Sequence, residues 1–258
     1  MVAPGLPAWR YQNMESSLHA RIRETLSRSS QLAEGGAIKE SIDILRELLS
    51  KLDLVPQDLT VLRVRARVHL KIGSLLQNSG ASEESFVSEF SDAIRVSSGG
   101  VSRYPDDPYL IETRGNALEY LHEYDAAIAD YEKIIQCSPE NPLGYYLRGR
   151  AMYKRAYLQD PIPLQGLVDA HSDIRRAIAI SSEGMLADVC YWESAVIGCR
   201  LVEQGGVSSQ LLREIIGDIR EAGARIERRV GKATVAGRQR RRTLAGMLLS
   251  LRKRSGAR

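Results

Sequence analysis

Apolar side chains recur at three- and four-residue intervals through most of this chain, the spacing that gathers them on one face of an α-helix. Ile38, Ile42, Leu45, Leu48 and Leu49 share one such stripe. Leu62, Ala66 and His69 share another, and Phe86, Phe90 and Ile94 a third, with the polar turn QNSGAS between them. Tyr131, Ile134 and Ile135 continue the series, as do Ala170, Ile174 and Ala177. Toward the C-terminus Val189, Trp192, Val196 and Cys199 mark one helix, and Leu211, Ile215, Ile219 and Ala222 the next. No long run of Val, Ile and Thr alternates with polar residues, so no sheet is expected. Glycine pairs at Gly35–Gly36, Gly99–Gly100 and Gly205–Gly206 read as joints. The pattern predicts an all-α protein.

One block of the pattern repeats. Pro108, Arg114, Gly115 and Ala117 return as Pro142, Arg148, Gly149 and Ala151, each 34 positions later. A fixed period of about 20 to 50 residues marks stacked helical hairpins, which bury their apolar faces only against one another. The stretch 108–141, PYLIETRGNALEYLHEYDAAIADYEKIIQCSPEN, resembles a tetratricopeptide repeat. Gly115 stands at the crossing of the two helices, between Ile111 and Leu118, and Ala127, Tyr131 and Pro139 fall at the family's intervals. Gly115 and Ala127 lack bulk, so the helices can approach closely, and Pro139 follows the second helix without extending it. Arg114 stands where a large apolar residue usually precedes the glycine, and Leu118 replaces an aromatic.

The resemblance is partial over about 57–182. After Pro142, Tyr145, Gly149 and Met152 take the expected places of a first helix, but the insertion DPIPLQGLV displaces the second, because its two prolines break any continuous helix. The resemblance implies a superhelical solenoid of antiparallel hairpins, with extra C-terminal helices. The expected organisation is a loose leader over 1–15, a helical repeat domain over 16–227, and a basic arm with a short helix over 228–258.

With 258 residues, 43% of them hydrophobic, the chain can bury a substantial core. The leader has neither a basic nor an apolar signal region, and no apolar run approaches the roughly 18 residues of a membrane span. Cys137, Cys190 and Cys199 are too few, and odd in number, for a disulfide framework. A reducing, cytoplasmic setting is the expectation.

Candidate chemistry is sparse. His19, His69, His122 and His171 stand far apart, and the serine of GMLADVCYWESAVIGC, Ser194, has no base beside it in sequence. A phosphate loop, an HExxH helix and a paired-cysteine zinc signature are all missing. No catalytic residue, metal or cofactor is expected.

Charge changes the picture. The net charge is +4, yet no acidic residue follows Glu227, and the final stretch holds eleven of the 36 Lys and Arg. Such asymmetry points to a basic interaction arm. Within it, Thr243 to Arg254 predicts a short helix capped by Thr243, with Leu244, Met247, Leu248 and Leu251 on one side. The arm is open to three readings. It could cap the helical stack. It could hold nucleic-acid phosphates through Arg238, Arg240, Arg241, Arg242, Arg252, Lys253 and Arg254. A membrane surface is the least favoured partner, since the helix is short and lacks a Trp or Phe anchor.

The resemblance further implies a groove lined by the first helix of each hairpin. With Ala66, Gly115 and Gly149 in register, Arg63, Arg67 and Lys71 form one row. Glu112, Asn116 and Tyr120 form the next, and Tyr146, Arg150 and Lys154 the third. Each row has i, i+4, i+8 spacing and so shares a helix face. Basic rows suit a carboxylate or an acidic peptide. The expected function is a non-catalytic adaptor that holds a protein or peptide partner in this groove. The alternatives are a nucleic-acid-associated factor tethered by its basic arm, or a regulatory subunit of an enzyme complex. A homo-oligomer is left open, because an isologous helical interface needs the same apolar stripe as the end of a stack.

Overall fold

The computed structural model describes residues 8–181, 183–205, 207–230 and 235–254, with side chains for 18–181, 183–205, 207–228 and 242–251. It is all-α, with eleven helices and no strand among the described residues. In chain order these are α1 (Ala8–Glu34), α2 (Ile38–Leu52), α3 (Leu59–Asn78), α4 (Glu83–Arg103), α5 (Pro108–Tyr120) and α6 (Tyr124–Cys137). Then come α7 (Pro142–Tyr157), α8 (Leu164–Ile180), α9 (Met185–Gln204), α10 (Ser209–Val230) and α11 (Val235–Arg254). The chain divides into two compact units between Leu121 and His122, inside the span expected as one repeat domain. Residues 8–15, expected as leader, belong to α1.

Local chemistry explains where the helices start. Pro108 and Pro142 occupy the first turns of α5 and α7, where a missing N–H costs nothing. The residue before each is a cap: Asp107 accepts from the Leu110 amide at 2.9 Å, and Asn141 from the Leu143 amide at 3.0 Å. Asp58 caps α3 in the same way, through the Val61 amide at 2.8 Å. The 34-residue period is thus anchored at its start by a cap–proline pair. Gly36 and Gly80 sit at positive φ after α1 and α3 and turn the chain back, a conformation that L side chains rarely adopt.

In the first unit α1 packs on α2, α2 on α3, α3 on α4, and α5 on both α3 and α4. Ile22, Ile42, Leu45, Leu52 and Ile72 form the core of its N-terminal part. Ala66, Val96 and Leu110 gather α3, α4 and α5. The pair Gly99–Gly100, expected as a joint, lies inside α4, and Gly100 makes room for Leu110. The cause is burial, since the packing of Leu110 outweighs the poor helix propensity of glycine.

In the second unit α7 and α8 pair, as do α9 and α10, and α8 packs on α9. Only the first part of the expected insertion, DPIP, lies in the loop between Tyr157 and Leu164; the remainder, LQGLV, forms the start of α8, because nothing after Pro163 interrupts the helix. Ala170, Ile174 and Ala177 are fully buried. On α9 the expected stripe of Val189, Trp192, Val196 and Cys199 is only half buried. The residues sealed from solvent include Cys190, Ser194, Ala195, Ile197 and Leu201, because α9 is covered on two sides, by α8 and by α10.

The helix pairs share one device. A Cβ on Gly73 of α3 would come within 2.6 Å of the Phe90 ring, and one on Gly198 of α9 within 2.7 Å of Ile215. On Gly149 of α7 it would lie 2.9 Å from the Ala170 carbonyl oxygen. On α3 the close approach to the paired helix is made by Gly73, while Ala66, also fully buried, packs with Val96 and Leu110. Seven residues, about two helical turns, separate Gly73 from Ala66, so they share a face while the height along the helix differs by about 10 Å.

Helix α11 is longer than the sequence suggests. It begins at Val235, so Thr243 lies within the helix and not at its start. The arginine run ahead of Thr243 is compatible with helix and extends it. Leu244 and Leu251 are buried, with Met247 and Leu248 beside them, against Ile215, Ile219, Ala222 and Ile226 of α10 and Ala195 of α9.

Candidate functional site

Helices α3 and α5 of the first unit border a recess of about 580 Å3. Its apolar lining comes from Leu26 of α1 and from Val64 and Leu70 of α3. Its polar lining includes Arg63, Arg67, Tyr109, Glu112 and Asn116. The structure therefore brings members of two expected rows, those on α3 and α5, to one concave site.

The members differ in what they can do. Arg63 is engaged: its Nε lies 3.0 Å from Asp107 Oδ2, Nη2 also bonds that carboxylate, and the guanidinium lies 4.7 Å from the centre of the Tyr109 ring. The bond to Asp107 raises its pKa further and fixes it as a cation. Arg67, one turn on, is exposed at the recess. Lys71 turns away, its Nζ donating to Ser30 Oγ of α1 at 2.7 Å. Burial lowers the Lys71 pKa, and neighbouring Arg67 lowers it too. Asn116 lines the recess, whereas Tyr120 stacks on Phe90 of α4 at 4.5 Å, nearly parallel, and lies outside it. Tyr109, Val64 and Leu70 are lining residues that the sequence reading missed.

The third row lies on α7 of the second unit. Arg150 sits over the Tyr146 ring at 5.4 Å, and burial raises the Tyr146 pKa. Lys154 is exposed. In the basic arm Arg242 is exposed, while the side chains of Arg238, Arg240, Arg241, Arg252, Lys253 and Arg254 lie outside the described residues.

One polar cluster was not legible in the sequence. Ser194, which has no base near it along the chain, lies 3.0 Å from His171 Nε2 and donates to Asp218 Oδ2 at 2.6 Å. Arg175 Nη1 donates to Asp218 Oδ1 at 2.6 Å. These are the residue types of a hydrolytic triad in a different order. The Ser194 proton is committed to Asp218, and Ser194 is fully buried, so the hydroxyl links helices and does not meet a substrate. The thiol of neighbouring Cys190 is pushed up to about 12 by burial and stays protonated and inert. No described helix is long and apolar enough to cross a membrane.

No family model matches this sequence, and no curated protein matches it. Solved structures do. TTC0263, a thermophilic TPR protein of Thermus thermophilus, is similar with a TM-score of 0.57 and 16% identity, over 88% of this chain and 99% of that chain. MamA from Desulfovibrio magneticus RS-1 has a TM-score of 0.44 and 15% identity, over 78% of this chain and 96% of that one. A tetratricopeptide repeat protein from Parabacteroides merdae has a TM-score of 0.40 and 16% identity, over 90% and 98%. The chain thus has a tetratricopeptide-like helical-repeat fold.

Proposed function

We propose that this protein is a non-catalytic scaffold that holds an extended segment of a partner protein in the recess between α3 and α5. An acidic group of that segment pairs with Arg67. The observation that carries this reading is the recess itself, about 580 Å3 in volume, with an exposed guanidinium beside apolar walls from Leu26, Val64 and Leu70. Its physical logic is a division of labour. Apolar contact supplies most of the affinity, and the guanidinium, with its fork of donors, selects a carboxylate. Arg63 is held by Asp107 and Tyr109, so it forms a pre-ordered wall of the recess and leaves the pairing role to Arg67. The helical-repeat fold supports the reading, because such folds expose concave faces suited to peptides.

The basic arm is an accessory in this reading. Docking of Leu244 and Leu251 on α9 and α10 supports a capping role for α11. A cytoplasmic setting is part of the proposal.

The test uses fluorescein-labelled peptides that place one glutamate among leucines, with glutamine counterparts as controls. Binding is followed by anisotropy at low and high salt. The glutamate peptides should bind better, and the preference should shrink as salt rises. Arg67→Ala should weaken binding about tenfold, roughly 1.4 kcal/mol. Arg155→Ala, at an exposed ion pair with Asp125 in the second unit, should change nothing. Equal binding of both peptide types, undiminished in Arg67→Glu, would sink the proposal.

A further inference from the structure

The buried cluster of the second unit has a definite proton arrangement. Ser194 has one hydroxyl proton and two neighbours, the Asp218 carboxylate at 2.6 Å and His171 Nε2 at 3.0 Å. An ionised carboxylate only accepts, and Arg175 on its other oxygen keeps it in that role. The hydroxyl proton therefore points to Asp218. His171 must then present an N–H to the Ser194 oxygen, which fixes the ring as the neutral Nε2–H tautomer with Nδ1 bare. The chain of bonds runs from His171 on α8 through Ser194 on α9 to Asp218 on α10, and back to Arg175 on α8.

All three links are buried: His171 is 4% exposed, Ser194 0% and Asp218 3%. A second proton on His171 would put a cation there, away from solvent and near Arg175. We propose that His171, Ser194 and Asp218 form an acid-sensitive clamp that joins α8, α9 and α10 while the ring is neutral and loosens them when it becomes charged.

The charged surroundings support this polarity. From its own helix Arg175 disfavours a charged ring; from α10 Glu214 favours the charge, and Asp218 is reached through the Ser194 hydroxyl. The α9 side offers the Ser194 hydroxyl, and α7 keeps its own pair on α8, Arg148 on Asp173 at 2.7 Å. Burial is the largest influence and, with Arg175, lowers the ring pKa from 6.5 to about 4. The folded state thus prefers the neutral ring, so the clamp's contribution is complete above pH 6.5 and is lost as pH falls from there toward 4. Asp218 acts in the opposite sense, since burial raises its pKa and folding favours its protonated form as acid is added.

Two measurements test the clamp. In the wild-type protein, long-range 1H–15N spectra at neutral pH should show His171 as the Nε2–H tautomer, with no titration near the ordinary histidine value. The Nδ1–H tautomer, or an ordinary titration, would overturn the proposal. Hydrogen exchange of α8–α10, corrected for intrinsic rates, should then rise on acidification from pH 6.5 to about 4, by up to the order of a hundredfold. His171→Gln keeps a donor at the Nε2 position, cannot ionise and leaves Asp218 in place, so its exchange should rise far less. If wild type and His171→Gln loosen at the same pH, carboxylates drive the opening and the clamp is refuted.

Discussion

Arg63 of α3 closes on Asp107, the residue that caps α5. One carboxylate oxygen accepts from the Leu110 amide at 2.9 Å, while Arg63 Nε lies 3.0 Å from the other. Asp107 is only 6% exposed, so it would be costly to bury without these partners. A single side chain thus starts a helix, ties α5 to α3, and orients one of the two arginines at the recess.

Substitution at Asp107 should separate these roles. Asp107→Ala loses the cap and leaves Arg63 unpaired, and should cost about 2–3 kcal/mol. Asp107→Asn keeps an oxygen for the Leu110 amide and should cost about half of that. Urea unfolding followed by circular dichroism reads both values. Equal losses would mean that the cap contributes nothing at this position.

Two glycine-to-alanine substitutions should have opposite signs. At Gly149 the new Cβ would press on the Ala170 carbonyl oxygen at 2.9 Å, a backbone atom that cannot swing aside. Overpacking should outweigh the better helix propensity of alanine, for a net loss of about 1–2 kcal/mol. At Gly99, also helical, nothing lies within 4 Å, so Gly99→Ala should stabilise by about 0.5–1 kcal/mol. Thermal unfolding midpoints give both signs directly.

The docking of α11 can be tested with a pair of leucines. Leu251 is 2% exposed and Leu249 is 58% exposed. Leu251→Ala should cost about 2 kcal/mol or more, unless α11 detaches first and limits the loss. Leu249→Ala should change stability by less than about 0.5 kcal/mol. Near-ultraviolet dichroism of Trp192, which packs in the same cluster, should weaken only in the Leu251 variant.

Most of the helices were written in the chain, because apolar periodicity, caps and prolines act over a few residues; the starts of α1, α8 and α11 were not. The repeat at 34 positions, the loop around the two prolines and the apolar face of α10 all follow from such local terms. The fold of antiparallel hairpins followed as well, since amphipathic helices joined by short turns have few ways to bury their stripes. What tertiary structure decided was which of several equivalent residues face one another. Gly73 and Ala66 share a face of α3, and tertiary packing sets Gly73 against Phe90 and Ala66 beside Val96 and Leu110. Arg63, Arg67 and Lys71 share another row, yet Asp107 engages the first, Ser30 draws off the third, and Arg67 is left exposed at the recess. Ser194 and His171 lie 23 residues apart, and no periodicity relates them. Their meeting depends on three helices packing at once, so it is a property of the assembled core and not of any single segment.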